Sequence, residues 1–317
     1  MMRRMLAALQ STAARVIFLV IALGLGVWAV VSQWDSIVSS VQLITPGIIV
    51  SALALSLLYV IATFLAWRIL MNAQHTGLGA GAAARVFFVS QLGKYLPGGI
   101  WNIVAAAELG KDHAISRIHS VVVMLQSTLI SISTGLILGT IGVLIGPAEL
   151  RQSTWWVVLA LPVFIVVLLP PVMSRLTSLA LKKAHRGHLE VKATWRSIGQ
   201  ASLWSIIAWL FAGGQVWVLG VGLGLEANLA TLGLCVLAYA LAWTVGFLVV
   251  VAPAGVGIRE GVLGLLLAGY LSGGATVALV LLSRVALTIA DIVCGVVFLR
   301  GRRRQESATA ERQTPSA

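Results

Sequence analysis

An all-α polytopic membrane protein is the fold class this sequence predicts, on three observations. The 317 residues are 59% hydrophobic and only 10% charged, whereas soluble domains carry about a quarter charged residues. Apolar stretches of about 20 residues, the length that crosses a bilayer, recur along nearly the whole chain. Most basic residues gather in segments that alternate with those stretches, the pattern of the positive-inside rule. The spans use up the length that a folded soluble catalytic domain would need.

Taken in order, Arg3, Arg4 and Arg15 precede the run RVIFLVIALGLGVWAVV, which is long for a signal peptide and lacks a small-x-small cleavage site. Residues 1–14 therefore read as a cytoplasmic segment, and 15–33 as a retained signal anchor. Further spans are expected at 46–71, 119–146, 154–173, 200–224, 229–252 and 276–299. Lys182, Lys183, Arg186, Lys192 and Arg196 crowd one loop, and Arg300, Arg302, Arg303 and Arg304 open a basic, polar tail at 300–317. All three basic clusters are expected in the cytoplasm, so 15–299 forms an integral domain of the plasma membrane with both termini inside. The net charge of +12 then belongs to topology, and nucleic acid is not an expected partner.

Two segments do not read as simple spans. Residues 77–117 hold short apolar runs broken by Lys94, Pro97, Gly98, Gly99 and Glu108, and residues 253–272 begin PAGVGIREG. With both ends of the chain inside, 253–272 must cross, whereas 77–117 must enter and leave on one side. The result is about eight crossings with one re-entrant element. The two segments also resemble each other: Pro97 set over Pro253 places Gly99 on Gly255, Ile100 on Val256, Val121 on Val277 and Ser127 on Ser283. Interrupted helices at corresponding places in two halves point to a transport site near the membrane midplane.

Four groups of residues are candidates for function. In GKYLPGG, Pro97 lacks a backbone donor and Gly98 and Gly99 loosen the turn. Non-helical backbone is tolerated at membrane depth only beside protein or a water-filled cavity, so Lys94 is either a cation at such a cavity or a side chain snorkelling to the interface. In PAGVGIREG, the break formed by Pro253, Gly255 and Gly257 frees amides at a helix start, which favour anions, and Arg259 adds a fork suited to phosphate. Glu260 beside it is a counterion, a proton carrier or a cap, and the pair has a purely structural reading as well. Arg284 and Asp291 lie seven residues apart on nearly one face of the last span, where each charge costs roughly 2.5–3.5 kcal/mol. They mark either a site or a structural ion pair. Ser127, Ser131 and Thr134, with Gln126 beside them, form a polar line that either borders a path or bonds to a neighbouring helix.

Other patterns carry no chemistry. Gly77, Gly79 and Gly81, and Gly220, Gly222 and Gly224, follow no strand of a nucleotide-binding unit, and Gly135 and Gly139 have helix-packing spacing. Cys235 and Cys294 sit in apolar segments, and His185 and His188 lie in a basic loop without nearby carboxylates or thiolates in sequence. No metal, cofactor or ATP motor is expected.

GKYLPGG, PAGVGIREG and the SR of Ser283 and Arg284, in this order within such a chain, resemble the transmembrane region of the lysylphosphatidylglycerol synthase family, the flippase-like domain. The resemblance covers roughly residues 15–300. Larger members join this region to a soluble aminoacyl-transferase domain, and here only a short polar tail follows Leu299. The resemblance thus implies a stand-alone lipid translocase and no lysyl transfer.

Three functions follow. The leading one is translocation of a lipid with a charged headgroup, an aminoacylated phospholipid, a glycolipid or a polyprenyl-phosphate lipid. Lys94, Arg259 and Arg284 would receive phosphate, with Glu260 and Asp291 balancing charge in the empty site. The second is an intramembrane glycosyl or acyl transferase with Glu260 or Asp291 as general base. The third is a non-catalytic scaffold whose basic loops hold anionic lipid or a separate lipid-modifying enzyme. Membrane lipids are the expected partners throughout.

Overall fold

The computed structural model describes residues 24, 27–28, 30–74, 77–95, 101–113, 115–145, 158–159, 161–183, 193–248, 255 and 257–313, the side chains of Ile145, Lys183, Leu248 and 300–313 excepted. The helices are α1 (Trp34–Val41), α2 (Pro46–Ala73), α3 (Ala80–Gln91), α4 (Trp101–Lys111), α5 (Arg117–Ile145), α6 (Leu161–Val167), α7 (Pro170–Lys183), α8 (Trp195–Gly222), α9 (Leu229–Leu248), α10 (Ile258–Leu267) and α11 (Gly273–Gln313), with a 3-10 turn at Leu92–Tyr95 after α3. No strand occurs among the described residues. The molecule is an all-α, multi-pass membrane protein.

Among the described residues, α2, α5, α8, α9 and α11 are long and apolar enough to cross a membrane, and α6 with α7 makes a sixth span if that pair is one bent crossing. The expected count of eight is not confirmed among the described residues. Residues 15–33 lie largely outside the described residues, as do Pro97, Gly98, Gly99 and Pro253. The segment at 253–272, expected to cross, contains α10 of only 10 residues. At 1.5 Å per residue that is about 15 Å, half of a hydrocarbon core about 30 Å thick. The plain span expected at 154–173 is bent by 76° between α6 and α7. Pro170 and Pro171 open α7, and a proline supplies no N–H to continue the preceding ladder. Backbone helix runs on from the last span through 300 to Gln313.

The segment at 77–117 forms two short helices, α3 and α4, packed side by side and each too short to cross alone. The sequence similarity of the two interrupted segments extends to their elements. Helix α4 ends at Lys111 and α10 at Leu267, α5 begins at Arg117 and α11 at Gly273, so both landmarks recur at an offset of 156 residues. Each half thus carries one short helix followed by one spanning helix.

Burial divides between two clusters. One gathers α8, α9, α10 and α11 around Leu234, Ala238, Tyr239 and Leu279. The other gathers α2, α3, α4 and α5 around Trp67, Met71, Val86 and Val123. Helix α5 is drawn against α8 and α9 by glycines. A Cβ at Gly135 would lie 2.9 Å from the Trp209 ring, and one at Gly142 would lie 2.7 Å from the Gly233 carbonyl oxygen. Such small-residue contacts let helices pack tightly where lipid supplies no hydrophobic drive for association.

Candidate functional site: a charged cavity between the two short-helix units

Helix α11 supplies one wall. Arg284, Thr288 and Asp291, spaced by four and three, share a face. Asp291 is 4% exposed, and its Oδ2 lies 2.7 Å from Lys94 Nζ. The 3-10 turn after α3 brings Lys94 there, and the same turn brings Tyr95, whose hydroxyl donates to Asp291 Oδ2 at 2.6 Å. A buried carboxylate is tolerable because a cation and a hydroxyl reach it together.

Helix α10 supplies the second group. The residue that precedes it at the N-cap, Gly257, has φ 84°, in the left-handed region where a Cβ is strained, and offers no capping side chain. Glu260 closes the turn from within the helix, accepting the Gly257 N–H on Oε2 at 2.7 Å. Its other oxygen, Oε1, lies 3.4 Å from Arg284 Nε. Arg259 points to α9, where its guanidinium donates to the Tyr239 hydroxyl and stands 4.5 Å from the centroid of that ring. Glycine permits this approach, since a Cβ at Gly246 would meet Arg259 Cβ at 3.2 Å and one at Gly255 would meet Gly246 Cα at 3.2 Å.

These side chains face a common cavity of about 360 Å³ whose lining includes Lys94, Arg259, Arg284 and Asp291, within the size range of small-molecule sites. Glu260 stands behind it, tied to Arg284. The structure therefore brings together all five charged residues singled out from the sequence. Gly255 lines the cavity, and Gly257 immediately precedes the helix that carries Arg259.

The polar line on α5 divides. Ser127 and Ser131 border the cavity, whereas Gln126 and Thr134 turn to neighbouring helices. Gln126 Oε1 accepts from Gln74 Nε2 at 3.4 Å. Thr134 Oγ1 lies 2.8 Å from Ser205 Oγ and accepts from the Trp209 indole at 3.2 Å. Four residues separate Ser127 from Ser131, which keeps them on one face, and Gln126 is turned about 100° away.

Sequence reading missed the aromatic lining. Tyr59, Tyr95, Tyr239, Trp209 and Trp243 all border the cavity, with the Trp209 ring 6.1 Å from Tyr239 and 5.4 Å from Trp243. A compositional signal existed: the chain has four tyrosines, and three of them line this one space. Among the described residues no group of three or more His, Cys, Asp or Glu stands ready for a metal, and His185 and His188 lie outside those residues.

No individually curated protein matches the chain by sequence. The family described as "Lysylphosphatidylglycerol synthase TM region" matches residues 15–295, nearly the whole chain and every residue of the cavity. This multi-pass membrane protein with its charged interior therefore belongs to the lysylphosphatidylglycerol synthase transmembrane-region family.

Proposed function

We propose that this protein moves a lipid with a charged headgroup between the leaflets of the plasma membrane, with both termini in the cytoplasm. Membership of the family ties the chain to membrane lipids. The observation that carries the finer reading is the cavity of about 360 Å³ whose lining unites Lys94 and Asp291 with Arg259 and Arg284. Charges inside a membrane protein are costly, and where they occur they mark pathways for charged cargo. A cavity flanked by the two short-helix units is also where transporters built from repeated halves hold their substrate.

In this reading the acyl or prenyl tails stay in lipid while the headgroup enters the cavity. Lys94, Arg259 and Arg284 receive its phosphate. Asp291 and Glu260 hold two of those cations while the site is empty, so the interior is never a bare cluster of like charge. A separate lipid-modifying enzyme is a natural partner, since a translocase of this kind needs its lipid made elsewhere.

The test is headgroup translocation in proteoliposomes made with the wild-type protein, Arg259→Gln and Arg284→Gln, the lipid followed by a membrane-impermeant reagent. A phosphate contact through arginine is charge-assisted, and each substitution is expected to slow translocation by about tenfold or more. Rates equal to wild type in both variants would remove the headgroup assignment.

A further inference from the structure

The cavity's uncharged groups carry information that its charged groups do not. Ser127 and Ser131 on α5, Gln91 on α3 and Asn102 on α4 line it, and their side chains make no hydrogen bond to any described residue. Most buried polar groups in folded proteins are hydrogen-bonded. Here several donors and acceptors, drawn from the first-half helices, face one space unused.

The charges are by contrast engaged. Asp291 is held by Lys94 and Tyr95, and Glu260 by Arg284 and the Gly257 amide. An incoming ammonium group would have to displace a lysine or an arginine to reach a carboxylate. Among the described residues, three cations against two carboxylates leave one positive charge, which matches the single negative charge of a phosphodiester. The aromatic rings of Tyr59, Trp209 and Trp243 add flat apolar faces suited to the carbon skeleton of a polyol.

We infer that the headgroup this site takes is a phosphodiester bearing an uncharged, hydroxyl-rich group, a glycerol or a sugar, in preference to an aminoacyl or other ammonium-bearing headgroup. The phosphate lies against Arg259, Arg284 and Lys94, and the hydroxyls pair with Ser127, Ser131, Gln91 and Asn102. This inference rests on the reading of the cavity as a lipid-headgroup site, and it selects among the lipid classes that reading leaves open.

Binding separates the two ideas, because it asks for headgroup class without requiring movement. Purified protein in detergent is titrated, by quenching of its tryptophan fluorescence, with dioctanoyl lipids that differ only in headgroup: phosphatidylglycerol, phosphatidylmethanol, phosphatidylethanolamine and lysyl-phosphatidylglycerol. A short-chain prenyl phosphoglucose serves as a fifth probe. Phosphatidylmethanol has the same charge as phosphatidylglycerol and no headgroup hydroxyl. Phosphatidylglycerol or the phosphoglucose lipid is expected to bind about tenfold more tightly than phosphatidylmethanol, the effect of one or two neutral hydrogen bonds. Whichever of the two binds more tightly identifies the source of the hydroxyls.

The double variant Ser127→Ala/Ser131→Ala should bring that ratio towards one while phosphatidylmethanol binding stays within twofold. Asn102→Ala, which removes another of the lining polar groups, provides a second check and is expected to reduce the ratio. Equal binding of all five lipids, or tighter binding of either ammonium-bearing lipid, overturns the inference. Selective binding of a hydroxylated lipid, with no translocation of that lipid in proteoliposomes, leaves the inference standing and removes the transport reading instead.

Discussion

Replacing Lys94 by Met should cost far more stability than replacing its partner Asp291 by Asn, although both changes break the same 2.7 Å ion pair. At that distance and an effective dielectric of about 20, the gross attraction is about 6 kcal/mol, most of it offset by desolvation. The two ends differ in what is left behind. Lys94→Met leaves a carboxylate that is 4% exposed, whereas Asp291→Asn leaves an ammonium on a side chain 31% exposed, able to turn to water. Removing one partner of a wholly buried pair costs about 3–5 kcal/mol, and exposed pairs contribute about 0–1 kcal/mol.

With one end buried, one partly solvated and Tyr95 still donating to the carboxylate, Lys94→Met should cost about 2–3 kcal/mol. Asp291→Asn, which keeps an oxygen for Tyr95, should cost about 1 kcal/mol. The double variant should be no worse than about 1 kcal/mol below wild type, giving a coupling of roughly 2 kcal/mol. Reversible unfolding in mixed detergent micelles measures all four corners of this cycle. Equal losses for the two single variants, or a double variant whose loss is their sum, would refute the argument that Asp291 depends on Lys94 for compensation.

Gly257→Ala should lose about 1–3 kcal/mol, because φ 84° admits a Cβ only with strain. Gly261→Ala, one turn further along α10 with open space at its Cβ, should gain up to about 1 kcal/mol in the same unfolding assay. On the exposed side of α4, hydrogen bonds from Lys111 and Arg117 hold the Glu108 carboxyl below its usual 4.5. Because the folded value is the lower one, any stability this group adds is complete above the unfolded value and fades as pH falls through the folded one. Carbon-13 titration of Glu108 should show a midpoint below 4.5 that rises in Lys111→Gln and Arg117→Gln, and a midpoint unmoved by both would discount those contacts.

Much of the site was legible because charge in a greasy chain is conspicuous. Lys94, Arg259, Glu260, Arg284 and Asp291 are visible as costly residues within apolar surroundings, and Gly255 and Gly257 as glycines that a plain span has no use for. The repeat was legible too, since Gly99 over Gly255 and Ser127 over Ser283 presaged short helices that end at Lys111 and Leu267. What composition and periodicity could establish alone was the membrane, the helical class and the charged residues. All of these follow from local chemistry, chiefly the cost of taking a charge out of water.

Partnership was decided only in three dimensions. That Lys94 meets Asp291 across 197 positions of chain, that Glu260 reaches Arg284, and that Arg259 turns to Tyr239 depends on how α3, α9, α10 and α11 pack. So does the split of the α5 line, with Ser131 on the cavity and Thr134, three residues on, bonded to Ser205 and Trp209. A helix's own sequence determines which residues share a face. Which neighbour that face meets depends on rotation about the helix axis, set by close contacts such as Gly135 against Trp209 and by the fit of distant side chains.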